Sequence, residues 1–249
     1  IAKRLIELAR ALVGWLPGGL AIATVLACVV FAAISGSSPV TLIAVGVIMF
    51  PALTESKYPE NFALGIITTA GSLGCLVPPS IAMLIYAISV SGRASVDPAD
   101  LFLAGLIPAL LIAGLLSLYA MWVGRNIPRE KFSWSRLGAA LKDGSFALLL
   151  PVLILGGIYS GTFTPTQAGA VALIYATFVT VFVHRDLQVS RLPGLMAEAS
   201  VLVGSLILIV TLSFGLNDFL AEVEAPTYII EKIRAANLSP FSFFLVVNV

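Results

Sequence analysis

Long stretches without charge constrain this chain most. Residues 16–54 and 144–183 contain no Asp, Glu, Lys or Arg. Each stretch is longer than the roughly 20 apolar residues that one membrane-spanning helix needs. Over the whole chain 59% of residues are hydrophobic and only 11% are charged, far from the averages of soluble domains. The sequence therefore predicts an all-α, polytopic protein whose solvent is the lipid bilayer.

The charged and reactive residues exclude several classes of function. The net charge is +1, and Lys and Arg occur in short clusters between apolar segments, so no nucleic-acid partner is expected. Cys28 and Cys75 are far apart in apolar sequence, so we expect two buried thiols and neither a disulfide nor a metal site. An intramembrane enzyme would need a nucleophile with a base, and the single histidine, His184 beside Arg185, does not supply that pair. We expect no catalytic residue.

The first segments of the chain predict an amphipathic helix and a helical hairpin. In residues 1–15, Leu5, Leu8 and Leu12 share one face, which predicts a helix along the membrane interface. Residues 16–54 form two apolar arms of about 14 to 18 residues, which meet at Ser35-Gly36-Ser37-Ser38.

The hairpin tip contains its own helix-ending and helix-starting residues. Gly36 is suited to end the first arm, and Ser38-Pro39 matches an N-cap followed by proline at the first helical position. Each arm reaches roughly 21 to 27 Å, which is short for a hydrocarbon core of about 30 Å. The lengths favour a re-entrant hairpin, and an ordinary pair of spans with a tight turn stays open.

Residues 55–92 predict a discontinuous transmembrane helix. Proline has no backbone donor, so Pro78 and Pro79 leave the carbonyls of Gly74 and Cys75 without their helical partners. Inside a membrane such carbonyls are tolerated where protein or a polar cavity satisfies them. A cation bound at this position would satisfy them.

The remaining segments predict four further spans and a second amphipathic helix. Residues 93–143 contain a span at 101–124, started by Asp97-Pro98, and a cytoplasmic basic loop that reaches Lys142. Residues 144–223 contain three spans that open a second repeat, at 144–159, 165–183 and 193–221, and Thr164 and Gln167 have the spacing of a capping box. Residues 224–249 contain an amphipathic helix and the start of a second hairpin.

A short internal similarity predicts inverted repeats. Residues 5–10 (LIELAR) resemble residues 229–234 (IIEKIR), and the five crossings predicted between them place the two copies in opposite orientations. The basic residues agree with this topology, because eleven Lys and Arg fall on the side of the first copy. Only Arg93, Lys232 and Arg234 fall on the other. The positive-inside rule assigns the first side to the cytoplasm.

The tip and the break together predict an ion site. Ser35, Ser37, Ser38 and Ser72, with the carbonyls of residues 74–79, supply hard oxygen ligands without a fixed charge, which suits Na⁺. Small residues also allow close helix packing, and that alternative explanation stays open.

Four segments resemble motifs of the large membrane (M) subunit of TRAP (tripartite ATP-independent periplasmic) transporters. They are residues 31–38 (FAAISGSS), 71–80 (GSLG followed by VPPS), 101–108 (LFLAGLIP) and 157–166 (GIYSGTFTPT). Gln167 departs from the acidic residue expected after the last motif. The resemblance covers essentially the whole chain, and it implies that the chain is an internal fragment whose counterpart hairpin and broken helix follow Val249.

The resemblance implies an elevator-type secondary carrier with an inverted-repeat, ion-transporter-type fold in the bacterial inner membrane. The carrier would import small organic acids with a sodium gradient and without ATP or an organic cofactor. Its partners would be a small four-helix membrane (Q) subunit and a periplasmic substrate-binding (P) protein. The implied first Na⁺ site comprises Ser35, Gly36, Ser37, Ser38, Gly74, Val77 and Pro79, and the candidates for the cavity wall are Gly71, Ser72 and Pro78.

Two other interpretations stay open from the sequence. An ion-coupled citrate or arsenite type carrier would share the architecture but would not depend on a substrate-binding protein. A membrane scaffold would leave the tip serines replaceable. The sequence does not distinguish dicarboxylates, sialic acid and other organic acids as substrates.

Overall fold

The protein is described by a computed structural model that covers residues 2–90, 96–129, 131–235, 239 and 242–244. Within these residues every regular element is a helix, which confirms the all-α prediction. Ten α-helices occur in this part of the chain: α1 (Ala2–Val13), α2 (Gly19–Ser35), α3 (Ser38–Glu55), α4 (Glu60–Ser72), α5 (Ile81–Val90), α6 (Pro98–Val123), α7 (Trp134–Tyr159), α8 (Pro165–Phe178), α9 (Leu192–Glu222) and α10 (Ala225–Ala235).

Five helices in the described residues are long and apolar enough to cross a membrane. They are α3, α6 with the turn that follows it, α7, α8 with the π-helical turn that follows it, and α9 with the turn that precedes it. Helices α2 and α5 are apolar but shorter. The four spans predicted after residue 93 therefore correspond to α6, α7, α8 and α9, and the predicted broken span corresponds to α4 and α5.

Two compact units make up the chain, residues 1–186 and residues 187–249. In the first unit α2 is central, because it contacts α1, α3, α4, α6 and α7. Ten of its 17 residues are buried, and most of these are Ala, Gly, Thr or Cys. Such small side chains let several helices approach one helix closely.

Helix α1 packs its apolar face against protein. Leu5 and Leu8 are buried against α2 and α7, as their spacing predicts. Leu12, on the same predicted apolar face, is 44% exposed, so the neighbouring helices cover only part of that face. The position of α1 relative to the membrane interface stays a prediction.

Two groups of ion pairs join α1 to its neighbours. Arg4 lies 3.2 Å from the carboxylate of Asp143 in α7 and 2.6 Å from that of Asp186. Glu7 lies 3.3 Å from Arg10 and 3.4 Å from Arg136 in α7. The hydrogen bond from Arg4 lowers the pKa of the Asp186 carboxyl and raises the pKa of Arg4 itself.

Helix α7 begins well before the predicted span. Ser133 is its N-cap, with the hydroxyl accepting a 3.4 Å hydrogen bond from the Arg136 amide. The prediction of a basic loop as far as Lys142 is therefore wrong, because residues 134–143 are helical. The charged residues in these turns form ion pairs with α1. Hydropathy does not predict that these turns are helical.

Helix α8 begins at the predicted capping box. The Thr164 amide donates to Gln167 Oε1 at 2.9 Å, and the Gln167 amide donates to Thr164 Oγ1 at 3.3 Å. Gln167 thus has a capping role, although the resemblance led us to expect an acidic residue at this position. The helix ends in a π-helical turn, Val179–Val183.

The second unit contains α9 and α10. Helix α9 has 31 residues, none of which is buried. Helix α10 contains the second copy of the internal similarity, so both copies are helical. Arg93 and the predicted start of the second hairpin at Pro240 lie outside the described residues.

Candidate functional site

The predicted hairpin tip forms where α2 ends and α3 begins. Gly36 adopts the left-handed conformation (φ 61°), and its amide donates to the Ala32 carbonyl at 2.8 Å, which ends α2 as predicted. The N-cap of α3 is Ser37, so the prediction that Ser38 caps this helix is wrong by one residue. Ser37 is extended (φ −137°) and its side chain makes no capping hydrogen bond, so backbone geometry sets the start of α3.

The predicted break lies between α4 and α5. Helix α4 gives way to a 3₁₀ turn, Leu73–Cys75, and α5 begins only at Ile81. The carbonyl of Cys75, which loses its helical partner to proline, accepts a 2.6 Å hydrogen bond from the hydroxyl of Ser80. Ser80 is 1% exposed, and sequence analysis did not select it. A serine just after two prolines was the signal that could have found it.

The tip and the break are in direct backbone contact. The Ile81 amide donates to the Gly36 carbonyl at 3.1 Å, and the Ser38 hydroxyl donates to the Ser72 carbonyl at 3.0 Å. A Cβ atom added at Gly74 would lie 2.7 Å from the Ser37 carbonyl, so only glycine permits this approach. The structure therefore brings together residues that are more than thirty positions apart in the sequence.

Two side-chain hydroxyls form a hydrogen bond within the tip. Ser35 Oγ lies 2.8 Å from Thr41 Oγ1, and the Ser37 carbonyl, 3.3 Å from Ser35 Oγ, is a second acceptor for the single Ser35 proton. Thr41 is fully buried in the first turns of α3, and sequence analysis did not select it. A threonine in an apolar helix gives no sign of its partner before the tip is folded.

The two cysteines have different environments. Cys28 is buried in α2, as predicted. Cys75 is exposed, so the prediction of a buried thiol is wrong at this position. Cys75 lies in the 3₁₀ turn at the break, and its sulfur is 3.0 Å from the Ser38 hydroxyl.

A cavity of about 360 Å³ opens beside the tip and the break. Ser35 and Gly36 line it from the tip, and Pro79 and Ser80 line it from the break. The opposite wall is apolar and comes from α7 and α8. The cavity is therefore polar only where the tip and the break contact each other.

The other predicted residues lie away from this cavity wall. Ser37, Ser38, Gly74 and Val77 belong to the tip or the break but do not line the cavity. The candidates for the cavity wall, Gly71, Ser72 and Pro78, do not line it either. A Cβ atom at Gly71 would lie 2.8 Å from Leu42 Cβ, the hydroxyl of Ser72 donates to the Thr69 carbonyl at 2.7 Å, and Pro78 is buried.

The polar atoms of the tip and the break are uncharged. Residues 11–54 and 61–92 contain no ionisable acid or base other than Cys and Tyr. Within the described residues, no group of three or more His, Cys, Asp or Glu side chains is placed to hold a metal ion. Hydroxyl and carbonyl oxygens remain, and these are ligands for hard cations.

Comparison with known proteins identifies the family. All 249 residues match the family described as "Tripartite ATP-independent periplasmic transporter, DctM component". The chain is 38% identical to the C4-dicarboxylate TRAP transporter large permease protein DctM of Rhodobacter capsulatus, over all of this chain and 60% of that relative. It is 33% identical to the ectoine/5-hydroxyectoine TRAP transporter large permease protein UehC of Ruegeria pomeroyi, over all of this chain and 58% of the relative.

A third relative is named for a different substrate. It is the isethionate TRAP transporter permease protein DctMQ of Oleidesulfovibrio alaskensis, 33% identical over all of this chain and 39% of the relative. The chain thus spans about 60% of the length of the DctM proteins it matches. A multi-pass membrane component of a transporter agrees with the prediction that the chain is not an enzyme. The chain belongs to the DctM component family of tripartite ATP-independent periplasmic (TRAP) transporters.

Proposed function

We propose that this chain is part of the membrane carrier subunit of a sodium-coupled TRAP transporter that imports small organic acids. The observation that carries the proposal is the contact between the tip and the break, where uncharged oxygens of two interrupted helices meet beside a cavity of about 360 Å³. In membrane proteins, non-helical backbone is tolerated where it is buried in protein or lines a polar cavity. Interrupted helices in this arrangement are typical of carriers.

Sodium is the proposed coupling ion because the local oxygens are neutral and numerous. The proposed ligand region comprises Ser35, Gly36, Ser37, Ser38, Gly74, Val77 and Pro79. Its compactness supports the proposal, since Gly74 packs on Ser37 and Gly36 contacts the Pro79 carbonyl. A monovalent cation could bind between these helix ends without a carboxylate partner.

The length and the burial of α2 support a re-entrant hairpin. With 17 residues α2 reaches about 26 Å, less than the roughly 30 Å hydrocarbon core, whereas α3, with 18 residues, is just long enough to cross a membrane. Helix α2 is buried among five other helices, and lipid-facing spans do not have such an environment. Together with the two similar amphipathic helices, these features support an inverted-repeat, elevator-type carrier.

The comparisons support the proposed partners, substrates and location. The family description is tripartite and periplasmic, which supports a periplasmic substrate-binding (P) protein and the bacterial inner membrane. A relative named DctMQ supports a small membrane (Q) subunit as the second partner. The names of the relatives differ in substrate, from C4-dicarboxylate to isethionate and ectoine, so the substrate class is kept broad.

Uptake by the full-length protein with its two partners, reconstituted in proteoliposomes, tests the proposal. Wild type should accumulate a labelled C4-dicarboxylate only under an inward sodium gradient. Ser35→Ala and Ser37→Ala should each raise the sodium concentration for half-maximal uptake about tenfold, equivalent to about 1.4 kcal/mol. Ser89→Ala is the matched control, since Ser89 is exposed on α5 and its hydroxyl bonds only to the Ile85 carbonyl.

Three results would contradict the proposal. Uptake that does not respond to sodium in wild type would remove sodium coupling. Uptake that needs sodium but is unchanged by Ser35→Ala and Ser37→Ala would move the ion site away from the tip. No uptake of any organic acid by a folded complex would favour a scaffold role.

A further inference from the structure

Thr41 is the most completely buried hydroxyl at the tip. Thr41 is 0% exposed, whereas Ser35, Ser37 and Ser38 are only partly buried. A hydroxyl in an apolar interior is costly unless it has a hydrogen-bond partner. Its partner is Ser35 Oγ at 2.8 Å, so the contact between these two hydroxyls is built into the fold.

The pair links the two helix ends that form the tip. Ser35 is the last residue of α2, and Thr41 lies in the first turns of α3. Ser35 has two further contacts within the tip, to the Ser37 carbonyl at 3.3 Å and from the Ser37 amide at 3.4 Å. The contact with Thr41 is the shortest of the three.

A serine hydroxyl can coordinate a cation only with a lone pair. It has one proton and two lone pairs, and the proton must point to an acceptor elsewhere. Thr41 Oγ1 is the nearest acceptor, and the Ser37 carbonyl is a longer alternative. When Ser35 donates to Thr41, one of its lone pairs accepts from the Ser37 amide. The other is free to turn toward the cavity side of the tip, where Ser35 forms part of the wall.

We infer that Thr41 is a positioning residue that sets the direction of the Ser35 hydroxyl, so that this oxygen can accept the coupling cation. The inference rests on the proposed sodium coupling and on Ser35 as a ligand. Thr41 does not line the cavity, so in this inference it acts through Ser35 and not by contact with the ion. Its hydroxyl should therefore affect cation affinity and leave the transport cycle unchanged once the site is saturated.

The experiment compares two threonines that have the same burial and different partners. Thr41→Val removes the hydroxyl with almost no change in shape, and Thr41→Ser keeps it. Thr24→Val is the matched control, because Thr24 is also 0% exposed but its hydroxyl bonds only to the Leu20 carbonyl within α2. Sodium-dependent uptake by the full-length protein with its partners gives the half-saturating sodium concentration, the maximal rate and the substrate KM at saturating sodium.

Thr41→Val should raise the half-saturating sodium concentration about tenfold, with the maximal rate and the substrate KM within about twofold of wild type. Thr41→Ser should restore the wild-type value, and Thr24→Val should not change it. If Thr41→Val does not yield a folded carrier, Thr41→Ala against Thr24→Ala gives the same comparison.

Each of the remaining outcomes contradicts the positioning role of Thr41 or the proposed function. If wild type needs sodium and Thr41→Val shifts its affinity no more than Thr24→Val does, the positioning role is wrong while the proposed function stands. A fall in maximal rate at unchanged sodium affinity also contradicts it, because a general structural defect would act in that way. Wild-type uptake without sodium dependence would remove both the proposed function and this inference.

Discussion

Helices α2 and α9 are both strongly apolar, but they have opposite environments. Ten of the 17 residues of α2 are buried, and five helices contact it. Helix α9 is nearly twice as long, and none of its 31 residues is buried. Apolar character therefore does not decide which helix becomes protein interior.

Helix α2 is buried through a face of small side chains. The buried face of α2 consists mainly of small residues, among them Ala21, Ala23, Ala27 and Cys28. The exposed surface of α9 is mainly Leu, Ile, Val and Phe. Because lipid is as apolar as Leu, large side chains gain little by leaving it, whereas small ones allow close helix packing. Small residues alone do not decide burial, because α9 also has small residues that are exposed, such as Ala199. They permit burial on a face that other helices contact, as in α2.

The largest effect should come from enlarging a small residue of α2. Ala23→Leu places three extra heavy atoms at a position that is 0% exposed, and we expect a loss of about 3 kcal/mol in the free energy of unfolding. Ala199→Leu, on the exposed surface of α9, should change it by less than about 0.5 kcal/mol. Equilibrium unfolding of the full-length protein in mixed micelles measures both, and equal losses would break the comparison.

Glycine at the contact of tip and break should come next. Gly74→Ala forces a Cβ atom to 2.7 Å from the Ser37 backbone, which must shift, and we expect a loss of about 2 kcal/mol. Gly65→Ala in α4 has no neighbour within 4 Å and should stabilise the helix by up to about 1 kcal/mol. The same unfolding measurement compares them. A tolerated Gly74→Ala would mean that the tip and the break do not pack closely in the membrane.

Sequence analysis predicted the features that local chemistry determines. Gly36 ends α2 because only glycine adopts its conformation without strain, and the two prolines interrupt the helix because they lack a donor. The capping box of Thr164 and Gln167 is equally local. Such signals involve residues within a few positions of one another.

Some of the features that sequence analysis missed depend on contacts between distant segments. The choice of Ser37 over Ser38 as N-cap depends on how the tip packs against Gly74, since both serines fit the local pattern. The polar start of α7 is held by ion pairs of Asp143 and Arg136 with α1, far away in the sequence. The hydroxyls of Thr41 and Ser80 were missed for a different reason. Their partners are only six and five residues away, but both contacts depend on how the chain turns at the tip and at the break and not on a regular helical spacing.

A smaller loss of stability is expected at the break, where the Ser80 hydroxyl replaces the backbone donor that proline lacks. Ser80→Ala removes the hydrogen bond to the Cys75 carbonyl in a buried place, and such bonds in membrane proteins contribute about 0.6 kcal/mol on average and up to about 1.7. We expect a loss of about 1 kcal/mol. The control, Ser89→Ala, should be neutral because Ser89 is exposed on α5, the helix that follows Ser80. If both variants lose the same amount, Ser80 has no special role at the break.

The smallest change in the free energy of unfolding should come from the ion pairs of α1. Its size shows whether packing or charge stabilises the first unit. Asp186→Asn removes one partner of Arg4, but the Asp186 side chain is 50% exposed, and exposed ion pairs contribute about 0 to 1 kcal/mol. We expect a loss below about 1 kcal/mol at pH 7. The control is Asp218→Asn, which removes an exposed carboxylate from α9. A loss as large as that of Ala23→Leu would mean that charge, and not packing, holds the first unit together.

The pH dependence of the same variant gives an independent test. The hydrogen bond from Arg4 lowers the pKa of Asp186 in the folded protein, so the ionised form is the one that the fold favours. The stabilisation is therefore fully present above the unfolded pKa of about 3.9, and it is lost as the pH falls through the lower folded value. The difference between wild type and Asp186→Asn should be constant from pH 8 to about pH 5 and should shrink below about pH 4. A difference that grows on acidification would show that Asp186 is stabilised in its protonated form, and Arg4 would then not be its partner.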